Sequence, residues 1–231
     1  MTDQEPMQVP RPAELGALLR DPATTAQTLT DISQDRRVTS SHEFRFLLVN
    51  HPRTPTRISR TLVQHLLWKQ LADVCRSRNA HILVRREAER YLSQRQKNLA
   101  LGERITFARL ATRGVIPSLL KAATPEVLVA LLDNPLLRED EILRLAGAPQ
   151  TPPRVLAKLG VHSKWICRGP IRQRLLHNPA LPVADALRIV ARADSQDLHR
   201  LSNDAKVPRI VRLAAERRRE SVTRSGRSEQ R

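Results

Sequence analysis

Aromatic residues are nearly missing from this chain: Phe, Trp and Tyr together make up 3% of its 231 residues. A core without large rings has to be built from Leu, Val, Ile and Ala, which suits closely packed short helices better than a sandwich or a barrel. Glycine is scarce as well, at seven residues, and no segment alternates apolar and polar residues as a strand would. The two cysteines, Cys75 and Cys167, are too few for a disulfide framework or a four-ligand metal cluster, and both are expected to be buried small hydrophobes. No apolar run approaches the roughly 18 to 20 residues needed to cross a bilayer, and the start of the chain lacks a basic end followed by an apolar stretch. A soluble, cytoplasmic protein with no membrane contact is therefore expected.

Catalytic equipment is thin in the same way. The histidines at 42, 51, 65, 81, 162, 177 and 199 have no metal-ligand spacing and no link to a nucleophile motif, and there is no phosphate-cradling glycine loop. No catalytic residue, metal or cofactor is expected. His51 and His177, beside helix ends, are read as caps or as groups that complement the helix dipole.

Acidic residues are also in short supply, 23 against 40 basic, for a net charge of +17. Residues 1–50 carry −2 and residues 116–165 carry +1, whereas residues 51–115 carry +10 and residues 166–231 carry +8. Of the basic residues 34 are arginine, which forms bidentate bonds to carboxylate or phosphate. An arginine bias of genomic origin accounts for the same count without any partner.

What the chain does have is an internal duplication that tracks this charge. Without a gap, residues 52–90 lie over residues 179–217 at a constant offset of 127, and nine of the 39 pairs are identical. Composition alone gives roughly three. The matches include Pro52/Pro179, Val84/Val211, Arg85/Arg212, Glu89/Glu216 and Arg90/Arg217. A repeated run of short helices cannot bury its apolar faces alone and must stack on its neighbours. The spacing predicts helices near 12–20, 24–33, 41–50, 55–68, 69–76, 80–97, 101–113, 115–122, 125–133, 138–147, 152–160, 170–177, 182–192, 195–202 and 207–219. Thr54-Pro55, Thr124-Pro125 and Thr151-Pro152 read as helix starts, with a capping hydroxyl before a proline at the first helical position. Asn50, Asn134 and Asn178, each followed at once or one residue later by a proline, read as helix stops in the left-handed conformation.

The fold expected is all-α, an α-solenoid of short paired helices used twice, with residues 98–145 as the connecting middle. One helical-repeat domain over 11–219 would be flanked by disordered segments at 1–10 and 220–231; in a two-domain alternative Gly102 or Gly114 marks the hinge. The corners at Asn50 to Pro55, Asn134-Pro135, Pro149 to Pro152 and Asn178 to Pro182 resemble the variant leucine-rich repeats and the wider class of HEAT-like helical repeats found in bacteria. The resemblance covers residues 45–217 and implies a right-handed superhelix of paired helices serving as a binding surface. The cysteine-rich leader that holds an iron-sulfur cluster in some variant leucine-rich repeat proteins has no counterpart in the sequence, so no cluster is carried over.

Three groups are candidate contacts to an acidic protein segment or to nucleic acid. The first is Lys164, Trp165, Arg168, Arg172 and Arg174, where an aromatic beside basic groups suits phosphate contact with base stacking; the alternative is that Trp165 fills a gap between helices. The second is Arg85 and Arg90 with Arg212 and Arg217, where four-residue spacing to Glu89 and Glu216 equally suits surface ion pairs. The third is Arg53, Arg57 and Arg60, which run away from Ile58 and Leu62 and equally suit a solvated face. Two functions are expected from these groups: a non-enzymatic scaffold that presents an arginine-rich surface to an acidic protein partner, or a repeat protein that tracks a nucleic-acid backbone. A HEAT-like DNA glycosylase is the enzymatic alternative, with Asp73 near Trp68 as the pair to inspect.

Overall fold

A computed structural model describes residues 11–228, and the segments 1–10 and 229–231 of the expected disordered ends lie outside the described residues. Among the described residues the secondary structure is helical, with no strand. They divide into two compact units, and the division falls between Ala122 and Ala123, beyond both Gly102 and Gly114.

The first unit contains α1 (Pro12–Arg20), α2 (Ala26–Ser33), α3 (Arg36–Ser40), α4 (His42–Asn50), α5 (Thr56–Val63), α6 (Trp68–Arg76), α7 (Ile82–Arg95), α8 (Leu101–Leu110) and α9 (Ile116–Ala122). The second contains α10 (Pro125–Leu131), α11 (Glu139–Gly147), α12 (Pro153–Leu159), α13 (Ser163–Ile166), α14 (Gly169–Leu176), α15 (Val183–Val190), α16 (Ser195–Asn203) and α17 (Arg209–Ser228). Each of α1 to α7 begins 127 residues before its counterpart among α11 to α17.

The duplication is thus longer than residues 52–90 and 179–217, and the middle without a counterpart is shorter than 98–145, since α11 already belongs to the second copy. The added stretch carries single, well-spaced identities: Arg11/Arg138, Glu14/Glu141, Pro22/Pro149, Thr24/Thr151, Leu29/Leu156, Arg45/Arg172 and Leu48/Leu175. Several of them do the same job twice. The Glu14 carboxylate accepts from the Arg11 amide at 2.7 Å and that of Glu141 from the Arg138 amide at 3.0 Å, each satisfying an orphan donor at a helix start.

Within each unit most of the helices meet in the same combinations. In the first, α4 packs on α1, α5 and α6, while α7 packs on α5 and α6; in the second, α14 packs on α11 and α15, while α17 packs on α15 and α16. The cores are aliphatic, as the composition requires. Leu48, Val63, Leu71, Val84 and Ala88 are buried in one, and Leu175, Val190, Leu198, Val211 and Ala215 stand at the same positions in the other.

The corners work differently from expectation. Thr54 and Thr151 do not cap the helices that follow; their hydroxyls donate backwards to the carbonyls of Leu48 and Leu145, both at 2.6 Å, and Thr24 does the same to Leu18 at 2.7 Å. A hydroxyl that can rotate toward a carbonyl at a helix end supplies a donor where the helix's own amides run out. At Thr124-Pro125 the proline does occupy the first helical position, but the threonine makes no side-chain cap.

Nor do the asparagines turn left-handed: no residue among those described has a positive φ. Side-chain bonds close the corners instead. Asn134 Oδ1 accepts from the Leu136 amide at 2.8 Å and Asn178 Oδ1 from the Ala180 amide at 2.9 Å. Asn178 Nδ2 also donates to the carbonyls of Ala146 and Ala148, at 2.7 and 2.9 Å. In the first copy His51 takes this place, with Nε2 bonded to the Asp21 carbonyl at 2.9 Å and Nδ1 accepting from the Arg53 amide at 3.1 Å. The Oδ1 of Asn50, one residue earlier, is buried without a partner.

Two helix ends moved markedly, and two short helices are additional. The helix expected over 55–68 stops at Val63, because the chain turns so that Leu66 can enter the core. The short helices α3 and α13 were not expected, being too brief to show a period. α17 runs on to Ser228, through residues expected to be disordered; no proline interrupts 220–228, and extending an existing helix adds one hydrogen bond per residue.

Candidate functional site

Helices α7 and α17 carry the largest share of the duplicated arginines, and their register decides which of those meet solvent. Val84, Ala88 and Leu92 face the core from α7, as Val211 and Ala215 do from α17. With 3.6 residues per turn, the opposite face is formed by Ile82, Leu83, Arg86 and Arg90 on α7 and by Arg209, Ile210, Leu213 and Arg217 on α17, all exposed. Ile82 and Leu83 are 46% and 43% exposed, and Ile210 and Leu213 are 51% and 42%. Each copy therefore presents a stripe of two large apolar side chains and two arginines.

Arg90 pairs with Glu87 at 2.5 Å and lies 4.7 Å from the centre of the Tyr91 ring. Among the described residues no ion pair or hydrogen bond engages the guanidinium groups of Arg86, Arg209 or Arg217. Sequence reasoning had Arg90 and Arg217 but missed the other six. The available signal was the spacing of Val84 and Ala88: once those define the core side, Leu83 cannot share it.

Arg85 and Arg212 flank the stripes. The ion pairs expected with Glu89 and Glu216 do not form; the Glu89 carboxylate instead accepts from the Thr112 hydroxyl at 2.5 Å. In both copies the arginine Nε is buried with no hydrogen-bond partner. A buried donor left unpaired is costly and uncommon, and here it recurs at equivalent positions.

Arg57 and Arg60, both exposed, line an open depression with Thr56, Thr61 and Glu87, between α5 and α7. Arg53 is spent on structure: its Nη1 donates to the Ala23 carbonyl at 2.7 Å and so ties two corners together.

The third candidate group is brought together but does not form a stacking site. Trp165 is 1% exposed and donates from Nε1 to the Leu132 carbonyl at 3.1 Å. Lys164 lies over its ring at 4.2 Å, with Arg168 at 5.9 Å. No ring face is left for a base, so Trp165 fills the gap between helices. Arg168 pairs with Glu139. Arg172 is held by the carbonyls of Ile166 and Cys167 at 3.2 and 2.9 Å and by Asp197 at 2.6 Å. Its counterpart Arg45 binds the equivalent Ser40 carbonyl at 3.4 Å and that of His65 at 2.9 Å, so this arginine supports the fold in both copies. Arg174 stays exposed and packs its aliphatic stem against Gly147.

Cys167 corrects another expectation: it is exposed, at the end of four-residue α13, where its thiol donates to the carbonyls of Ser163 and Lys164. Cys75 is buried, and loss of solvent with the nearby Glu89 charge pushes its thiol pKa up to about 12. Asp73 and Trp68, both on α6, are engaged separately, with Asp73 on Arg76 at 2.6 Å and Trp68 Nε1 on Glu103 at 2.9 Å. Among the described residues no three His, Cys, Asp or Glu side chains are grouped to hold a metal ion, and no helix is long and apolar enough to cross a membrane.

His177 sits at the end of α14, as expected of a cap, and its Nε2 lies 2.6 Å from Asp204. The Lys206 amide, and after it His177, hold the Asp204 carboxyl below its ordinary range. A depressed folded-state pKa contributes stability that is present above the unfolded value near 3.9 and lost as pH falls through the folded value. The stability difference between the wild type and Asp204→Asn, measured by urea unfolding, is therefore expected to be largest above pH 5 and to shrink below pH 4. A difference independent of pH would contradict this assignment. Comparison of the chain with protein-family models, with curated proteins and with solved structures finds no match.

Proposed function

We propose that this is a non-enzymatic helical-repeat protein, related in plan to the variant leucine-rich and HEAT-like repeats, whose arginine-bearing helix faces bind an acidic protein segment. The single observation that carries the reading is the solvent-facing stripe of two apolar residues and two arginines, present on both α7 and α17. The packing of α4 against α1 and α6, and of α7 against α5, supports reading the units as stacked helical pairs.

A phosphate backbone is contacted through cations and hydrogen-bond donors and has no apolar surface to match exposed isoleucine and leucine, whereas an amphipathic acidic helix engages both kinds of group. The aromatic platforms that hold unpaired bases also lack support: Trp165 is buried, Trp68 is bonded to Glu103, and Tyr91 lies between Arg90 and Arg95. Ion pairs such as Arg90–Glu87 are no obstacle, since exposed pairs are worth only about 0–1 kcal/mol and exchange readily for a partner's carboxylate.

Fluorescence anisotropy with a labelled acidic amphipathic peptide, a random DNA duplex and a structured RNA tests the reading. The peptide is expected to bind in the micromolar range or tighter and to weaken at least about tenfold when Ile82, Leu83, Ile210 and Leu213 are all changed to aspartate, which removes apolar contact from both stripes and opposes the ligand charge. Tighter binding of DNA or RNA, with a steep loss on adding salt, would transfer the assignment to nucleic acid.

A further inference from the structure

The second unit contains a cavity of about 160 Å3 between α14, the end of α15 and α16. The duplication explains its origin, because each position on its wall has a counterpart in the first copy. Some counterparts are smaller, such as Val49 for Leu176 and Val74 for Leu201, but others are much bulkier: His42 stands where Gly169 lines the cavity, Phe46 where Gln173 does, and Leu66 where Ala193 does. Leu66 is buried at 1% exposure, so the first copy uses that side chain as core filling. The helices themselves differ in step: α4 touches α6, whereas α14 and α16 meet still less. A further tie is missing too. Gln70 on α6 donates to the His42 carbonyl at 2.9 Å, while Asp197 in its place turns to Arg172.

Wall chemistry defines what fits. Leu176, Ile189 and Leu201 give the cavity apolar surface. Of its charged groups, Asp197 is neutralised by Arg172 at 2.6 Å, and Asp204 is held by His177 and by the Lys206 amide at 2.6 and 2.9 Å. Arg200 lines the same cavity and has no hydrogen bond or ion pair among the described residues. A guanidinium beside an apolar recess matches a ligand with an apolar body and one carboxylate, bound through two parallel hydrogen bonds.

We infer that this cavity is a binding site for a small apolar carboxylic acid, with the alkyl part against Leu176, Ile189 and Leu201 and the carboxylate on Arg200. The acidic-partner stripe on α17 is a different surface, and neither reading depends on the other.

Isothermal titration and ligand-observed NMR on the full chain, with hexanoate, hexan-1-ol and hexylammonium as probes, test it. Hexanoate is expected to bind with a dissociation constant on the order of 1 mM, at least about tenfold tighter than the alcohol or the amine. Ala193→Leu, which installs the first copy's residue, is expected to abolish hexanoate binding while leaving the melting temperature unchanged or higher. Arg200→Gln, an exposed substitution, is expected to bring hexanoate down to the level of hexan-1-ol and to leave the alcohol unaffected. Equal or tighter binding of the amine, hexanoate binding that survives Ala193→Leu, or no hexanoate binding at about 10 mM would each overturn the proposal.

Discussion

Trp165→Ala is expected to destabilise the second unit by about 3–5 kcal/mol, the usual cost of removing a fully buried large aromatic side chain. Two losses act together. The vacated volume sits between α13 and the end of α10, and the Leu132 carbonyl loses the indole donor that reaches it at 3.1 Å. The equivalent position in the first copy holds Val38, fully buried with no polar group to satisfy. Val38→Ala removes only two carbons, so its expected cost is roughly 2 kcal/mol. Urea unfolding followed by far-UV circular dichroism gives both values, and hydrogen exchange assigns the first to amides of α10 to α14. A loss below about 1 kcal/mol for Trp165→Ala, well under the usual range, would mean that the ring is not a packing element.

Asn178→Ala is expected to cost about 2–4 kcal/mol, because three hydrogen bonds disappear from a buried corner; the Ala146 carbonyl loses its side-chain donor, while that of Ala148 keeps only the Thr151 amide at 3.0 Å. The first copy supplies the rescue. His51 makes the equivalent bonds to the Asp21 carbonyl and from the Arg53 amide, so Asn178→His should recover roughly half of the loss. It cannot recover all of it, since one ring nitrogen reaches one carbonyl where Asn178 Nδ2 reaches those of both Ala146 and Ala148. Thermal and urea unfolding of the three proteins measure this ordering. Histidine no better than alanine would show that side-chain shape, not hydrogen bonding, governs the corner.

Much of the architecture was legible because its signals are local. Proline-marked corners and helical spacing of leucines placed most helices within two or three residues, and the gapless match of 52–90 with 179–217 revealed the doubling. Its full extent stayed hidden because residues such as Glu14/Glu141 and Arg45/Arg172 are isolated identities whose common roles, an amide capped or a carbonyl held, appear only in three dimensions. Direction was the other blind spot. Thr54 next to Pro55 is compatible with a hydroxyl pointing forward to the next helix or backward to the last one, and it points backward.

The candidate surface was read less well. Arg53, Arg168 and Arg172 counted as free charge in the sequence, yet each is committed to a carbonyl or a carboxylate of the fold. Ile82, Leu83, Ile210 and Leu213 were not among the candidate residues; only the burial of Val84, Ala88, Val211 and Ala215 on the other side shows that they face outward. The cavity beside Arg200 had no signal in a single copy, and it emerges from comparing Ala193 with Leu66.

The absence of any left-handed residue among those described bears on how the two halves diverged. A corner that depended on such a conformation would have been locked to glycine or asparagine through time. Here ordinary backbone suffices, provided one side chain nearby can bridge to a carbonyl, and asparagine and histidine both do so at a single equivalent site. Mutational drift was thereby set free at the bridging position itself, while the prolines beside it, Pro22/Pro149 and Pro52/Pro179, stayed the same in both halves.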